Sequence, residues 1–350
     1  MQAALLAEFG RFQVRGLDTP RPGPGELLVR VEACGICGSD TRIFRHGHRR
    51  IRLPHVLGHE IAGTVADTGG RTNGFAAGDR VAVMPKVPCG VCLYCRRGQG
   101  NLCGDGRSFG YQLPGGFAEY VLVPHEAMEQ CAVLPLPATL CADEAVLIEP
   151  LACCLRSHRD GRQTGDDSVV VIGGGPVGTI HGRLARHRTA PLVILVERSE
   201  ARLASADRNT FHVVIDSSRE DPVEAVSRYT EGHGADHVIV ACSSGDAQTQ
   251  ALAMAGKGSR VDLFAGLAPG ADPIALDTNR LHYGEMSVRS AHGSTAKDCR
   301  QALELLSSGA LRLGDLVTSR QPLSRIQQAF EALERQETSK VVMKPGEATD

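Results

Sequence analysis

The run V-V-V-I-G-G-G-P-V-G, Val169 to Gly178, decides how this chain is read. Its β-branched residues read as a strand, and Gly173, Gly175 and Gly178 follow in G-x-G-x-x-G spacing before a stretch of helical character. Spacing alone says little, but a strand before it and a helix after it supply the setting in which glycines let a backbone approach a pyrophosphate and a helix N-terminus meets the anion. Gly173, Gly175, Pro176, Val177 and Gly178 are therefore the candidate dinucleotide contacts. A second apolar run ends V-I-L-V-E-R-S, placing Glu197 24 residues after Gly173, where a carboxylate fits adenosine ribose hydroxyls. Glu197 favours NAD, because a carboxylate repels the extra phosphate of NADP. Arg198, Ser199 and Arg202 follow at once and offer that phosphate partners, although a solvated helix start is the commoner fate of such residues.

Working outward, apolar runs at Val169 to Ile172, Leu192 to Val196, Val213 to Ile215, Val238 to Ala241, Val261 to Phe264 and Met286 to Ser290 alternate with helix-like stretches. That alternation predicts a doubly wound parallel sheet, an α/β fold. Upstream the texture differs: short β-rich runs, Leu27 to Val31, Ile61 to Val65, Arg80 to Val83 and Ala118 to Val123, stand between Gly and Pro and predict a barrel-like, loop-rich unit. Downstream, Ala296 to Ser307 and Ser324 to Glu337 read as helices and Lys340 to Met343 as extended, returning to the first unit. The expected division is a first domain over 1–152 and 294–350, with a cysteine-rich lobe at about 86–106, and a dinucleotide domain over 153–293.

With 350 residues, 42% hydrophobic and 22% charged, the chain can bury an ordinary core. A formal charge of -2 supplies no field for nucleic acid, and no apolar run is long enough to span a membrane. The opening residues lack a basic stretch, so a cytoplasmic location is expected. In that setting the 12 cysteines read as thiols or metal ligands rather than disulfides.

Four of them, Cys89, Cys92, Cys95 and Cys103, lie in C-G-V-C-L-Y-C-R-R-G-Q-G-N-L-C. Four thiolates this close can close a tetrahedral shell around zinc, leaving no room for substrate, so the site reads as structural. Local disulfides, free thiols and an iron–sulfur cluster are the alternatives. Upstream stand C-G-I-C-G-S-D, Cys34 to Asp40, and G-H-E, Gly58 to Glu60. A thiolate, an imidazole and a carboxylate make a mixed shell that leaves positions open for catalysis. Taken alone, such residues are more often packing elements.

The order C-G-I-C-G-S-D, L-P-H-V-L-G-H-E, the four-cysteine lobe, G-G-F-A-E-Y and E-P-L-A-C-C resembles the medium-chain zinc-dependent alcohol and polyol dehydrogenases over essentially the whole chain. The resemblance implies a GroES-like catalytic domain joined to a Rossmann domain, one catalytic and one structural zinc per chain, and NAD or NADP. It implies that Cys37 and His59 ligate the catalytic zinc, with Glu60 a further or exchangeable ligand and Cys34 a neighbour only. Glu149, where alcohol dehydrogenases of the family carry a cysteine, resembles the polyol branch; Cys153 and Cys154 compete for that role later in the turn. Ser39 matches the family's proton relay. Arg42 stands where a histidine often ends that relay, and an arginine cannot accept the proton; His46 and His48 are nearby, though such residues ordinarily face solvent.

The implied chemistry is hydride transfer between a nicotinamide and a small polar hydroxyl or keto substrate, a polyol, cyclitol or amino sugar. A step on a specialised sugar or aminocyclitol intermediate is the alternative, and a catalytically silent nucleotide sensor the non-enzymatic one. The stretch Arg45, His46, His48, Arg49, Arg50 and Arg52 offers phosphate or carboxylate recognition, with a solvated face the blander reading. Ser108 to Gln112 borders substrate by resemblance. The resemblance also implies a homodimer or homotetramer paired through the edge strand near Met286 to Ser290.

Overall fold

The computed structural model describes residues 1–70, 72, 74–159, 167–267 and 270–347. The chain divides into two units, Met1–Ala152 with Gly293–Asp350, and Cys153–His292.

The second unit is built on six parallel strands in the spatial order Val213–Asp216, Leu192–Glu197, Ser168–Ile172, Ala235–Val240, Ala255–Leu263 and Ser287–Arg289. This is the doubly wound order in which the chain reverses direction beside its first strand. Successive side chains of a strand point to opposite faces. Val170, Ile172, Ile194, Val196, Val238 and Val240 thus fill one core, while Val169, Val171, Val193, Leu195 and Ile239 fill another. Strands buried on both faces explain why the sequence shows continuous apolar runs rather than alternation.

Polar groups also lie buried in this unit. His158 Nε2 and His181 Nδ1 are 3.0 Å apart, and the His237 ring packs edge-on against His158. Asp262 accepts from Ser157 Oγ at 2.9 Å and lies 3.1 Å from His237 Nε2. Burial, followed by the charge of His237, pushes His181 down to about 3.

In the first unit, the strands Val133–Pro135, Arg80–Val83, Glu60–Thr68, Leu27–Gly35, Val341–Lys344 and Ser319–Pro322 form a continuous sheet, with Tyr120–Val123 also pairing Leu27–Gly35. The chain's end returns here, Val342 opposite Gly35 and Met343 opposite Cys34. Gln2–Glu8, Arg11–Gly16 and His55–Val56 form a smaller sheet. A cluster of buried phenylalanines ties the helix Gly38–His46 to the helix Ile326–Glu334: the Phe44 ring lies 5.4 Å from Phe12 and 5.1 Å from Phe330. Each such ring contributes about 1.5–3 kcal/mol on burial, which fixes the helix that opens at Cys37.

The helix expected over Ser324 to Glu337 is a 3₁₀ turn, Leu323–Arg325, followed by Ile326–Glu334. It stops early because Gln336 turns left-handed, φ 57°, as residues past a helix end commonly do. Among the described residues no helix is long and apolar enough to cross a membrane.

Candidate functional site

The cysteine lobe is local from end to end. The two short strands Lys86–Val87 and Arg107–Ser108 pair at its base, and Lys86 Nζ donates to the Cys103 carbonyl at 3.1 Å. Cys92 caps the one-turn helix Leu93–Arg96, and the 3₁₀ turn Gly100–Leu102 ends on Cys103. Cys89 and Cys95 sulfurs are 3.9 Å apart, Cys92 and Cys95 3.5 Å, and all four lie within 4.8 Å of one another. A zinc tetrahedron with bonds of about 2.3 Å requires edges of about 3.8 Å, whereas a disulfide requires about 2.05 Å. The donor set and its spacing fit zinc. Without metal the thiols compete for charge: backbone N–H groups of Val91 and Cys92, then Cys103, bring Cys89 down to about 7, while burial and Cys92 push Cys95 up to about 12.

Cys37 is the N-cap of Gly38–His46, closed by a capping box in which Asp40 Oδ2 accepts from Cys37 N at 2.9 Å. His59 follows Gly58, whose φ is 92° and where an added Cβ would fall 2.7 Å from Cys34 Sγ, so the position admits no side chain. His59 Nδ1 lies 3.3 Å from the fully buried Asp40 carboxylate, and Nε2 lies 3.5 Å from Ser39 Oγ. A carboxylate on one nitrogen leaves the other as the metal donor, the usual outer arrangement of a ligating histidine. Burial disfavours the His59 cation, but Asp40 and then Cys37 outweigh it and hold the imidazole well above its ordinary value. An environment that favours a proton on this ring favours a metal cation in the same place.

Glu60 is buried and turned toward Lys340: its Oε2 accepts from Lys340 Nζ, and its Oε1 has no hydrogen-bond partner. Lys340 also donates to the Ile36 carbonyl at 3.2 Å. Burial opposes its charge, yet Glu60 and Cys37, and further out Glu149, keep Lys340 above its usual value. Glu149 lies buried in the first turn of Ile148–Arg159. Cys153 is half-buried, and Cys154 points its thiol at the Val177 carbonyl at 3.9 Å. Cys37 and His59 meet, but Cys37, His59, Glu60 and Glu149 do not gather with all ligand atoms within 4.8 Å; among the described residues only the cysteine quartet does.

Three members of this site escaped the sequence reading. Asp40 stood inside the quoted motif without a role. Lys340 carried one available signal, being one of only five lysines in the chain. Tyr111, read only as part of a segment bordering substrate, stands over the centre: its ring lies 5.9 Å from His59 and 5.2 Å from His48, and its hydroxyl bonds Ser39. Arg42 and His46 are exposed on the helix.

In the second unit the glycine turn has the expected form. Gly173 has φ 106°, and a Cβ on Gly178 would fall 1.8 Å from the Gly173 carbonyl oxygen. Gly175 caps Pro176–His187 with Pro176 and Val177 opening the helix, and among the described residues only Arg202 comes within 4 Å of where a Cβ on it would stand. Glu197 is 5% exposed and accepts from the N–H groups of Gly174, Arg198 and Ser199 at 2.7, 2.7 and 2.9 Å. A carboxylate has about four acceptor sites, so one remains. Arg202 approaches Glu197 at 3.7 Å, and Arg198 is exposed. An open glycine cradle ending at an acidic residue fits a dinucleotide.

Residues 23–137 match the alcohol dehydrogenase GroES-like domain family and residues 176–308 the zinc-binding dehydrogenase family. The chain is 33% identical to L-threonine 3-dehydrogenase of Pyrococcus abyssi, over 93% of both chains. It is 30% identical to sorbitol dehydrogenase of Halalkalibacterium halodurans, over 96% of both. A zinc-binding dehydrogenase of Sinorhizobium meliloti, solved with NADP bound, superposes with a TM-score of 0.91 at 31% identity, covering 98% of this chain and 99% of that one.

Proposed function

Because the chain belongs to the zinc-dependent medium-chain alcohol and polyol dehydrogenases, a family of NAD(P)-linked oxidoreductases acting on CH–OH groups, we propose that it interconverts a secondary alcohol and a ketone on a small polyol, cyclitol or amino sugar. Zinc, when bound, supplies Lewis acidity toward the substrate oxygen, and the nicotinamide supplies the hydride acceptor or donor.

In this reading Cys37 and His59 hold the catalytic metal with Glu149, and Asp40 fixes the His59 ring with Nε2 turned inward. Glu60 is kept back by Lys340 as an exchangeable ligand. Ser39 takes the proton of the substrate hydroxyl, the step required before hydride can leave carbon. Arg42 cannot receive it, so Ser39 passes its own proton on to water as it takes that of the substrate, while the Tyr111 hydroxyl, kept protonated by burial, orients Ser39. Cys89, Cys92, Cys95 and Cys103 hold the structural zinc. Gly173, Gly175, Pro176, Val177 and Gly178 cradle the pyrophosphate. Glu197 spends its remaining acceptor site on a ribose hydroxyl, which favours NAD, while Arg198 and Arg202 offer NADP its phosphate partners.

The observation that carries the proposal is the placement of Ser39 Oγ 3.5 Å from His59 Nε2, with Cys37 opening the same helix: a hydroxyl, a thiol and an imidazole converge where a substrate oxygen would lie. The test is absorbance at 340 nm with zinc-loaded protein against polyols, cyclitols, amino sugars and their ketones, NAD and NADP run separately. Zinc-dependent turnover of one class, faster with NAD, is expected; turnover that is indifferent to zinc would refute it. The outermost strand Ser287–Arg289 has one unpaired edge and is the proposed seam of a homodimer or homotetramer, which a one-subunit mass in gel filtration would reject.

A further inference from the structure

Beyond the hydroxyl-binding centre lies a basic turn, His48 to Arg50, whose two arginines face no carboxylate among the described residues. His48 packs its ring edge-on against Tyr111, 5.2 Å between centroids, and Tyr111 in turn lies against His59. The Arg50 backbone N–H donates to His48 Nδ1 at 3.2 Å, which holds the two residues in one turn. Among the described residues no carboxylate or carbonyl is bonded by the side chain of Arg49 or of Arg50. Partial burial, then Arg50 and Arg49, lower His48; partial burial, then Arg50, lower Lys86. The charge of Arg50 is thus felt both within its own turn and at the lysine at the base of the cysteine lobe. Unlike Arg45, which is bound by Glu334, these arginines have no carboxylate partner among the described residues.

We propose that the substrate carries an anionic group, a phosphate or a carboxylate, which His48, Arg49 and Arg50 seat beside Tyr111 while the hydroxyl to be oxidised faces Ser39. The separation, two ring contacts from His59, is one that the carbon chain of a small sugar derivative covers. A planar guanidinium pairs with either oxyanion through two parallel N–H bonds, and half-buried Arg50 does so with less competition from water than a fully exposed residue. This inference rests on the dehydrogenase reading for the direction in which the substrate lies.

Its test separates the two. Inorganic phosphate is titrated calorimetrically into the zinc-loaded full chain, its Arg50→Ala variant and, as a charge control, Arg11→Ala. Charge-assisted bonds predict binding weakened about tenfold or more by Arg50→Ala and unchanged by Arg11→Ala. Sorbitol, sorbitol 6-phosphate and gluconate are then compared as substrates. A charged member should exceed sorbitol in kcat/KM by about tenfold, and Arg50→Ala should collapse that ratio; the phosphate ester winning identifies phosphate, gluconate winning identifies carboxylate. Equal phosphate affinity in wild type and Arg50→Ala, or equal use of all three substrates, overturns the proposal. If none of the three reduces the dinucleotide, the phosphate titration alone decides the anion seat: loss of binding in Arg50→Ala upholds it, and its retention overturns it; the dehydrogenase reading fails separately, if the cyclitols and amino sugars are silent as well.

Discussion

The cysteine lobe and the proposed Cys37–His59 centre lie in the same unit and offer overlapping ligand chemistry, yet they are assembled in opposite ways. The lobe draws its four sulfurs from 15 consecutive residues, and its turns alone bring them within 4.8 Å. The proposed catalytic centre would draw on Cys37, His59, Glu60 and Glu149, set by a helix cap, a glycine turn, a sheet strand and a second helix, and these do not close into one shell. Protein groups balance its charges instead: Asp40 faces His59, and Lys340 binds Glu60. A shell that closes by local turns suits a metal that holds a fold. A shell left open, with a carboxylate held in reserve, suits one that must exchange ligands.

The sharpest break of this contrast is Cys103→Ser. Where metal binding supplies the folding free energy, losing a ligand releases much of it, with binding terms on the order of 10 kcal/mol. The expected outcome is loss of one zinc per chain, measured by metal analysis, with poor yield of folded protein. Cys37→Ala should act the other way, lowering kcat/KM on the order of a thousandfold, about 4 kcal/mol, while circular dichroism and the lobe's zinc stay as in the parent.

Lys340→Met tests the reserve. It leaves Glu60 buried and unpaired, a loss of about 3–5 kcal/mol readable as a shift in the urea midpoint, and Lys340→Arg should restore part of it. A further effect, one that depends on pH, is expected in the second unit. His181, held at about 3 against an ordinary value of 6.5, is neutral when folded and takes a proton when unfolded. The unfolded state therefore binds more protons between these values, so stability is present above pH 6.5 and declines as pH falls toward 3. His181→Phe should flatten that decline in urea unfolding between pH 7 and pH 4.

These same residues show what sequence could and could not disclose. The glycine turn, the apolar runs of the parallel sheet and the lobe's spacing are legible because strand and turn chemistry is local, and the structure has a strand, Ser168–Ile172, and a helix, Pro176–His187, on either side of the turn. Lys340 and Glu60 are 280 residues apart and meet only because the final strand returns beside Leu27–Gly35. His158, His181 and His237 come from two helices and a strand, with no shared motif to announce their contact. Asp40 lay in plain view, but its position against His59 depends on the helix cap at Cys37, a tertiary fact. The helix end misread near Glu337 turned on one residue, Gln336, whose left-handed backbone no propensity favours.

The central claim, two zinc sites with different duties, is tested most directly by chelator-driven metal release followed simultaneously by zinc content, NAD(P)-dependent turnover and circular dichroism. The account predicts about two zinc ions per chain leaving in two phases, the first carrying turnover with it and leaving the fold intact, the second accompanied by loss of structure. Turnover that survives removal of the first zinc, or a chain that holds no zinc while remaining folded and active, would contradict it.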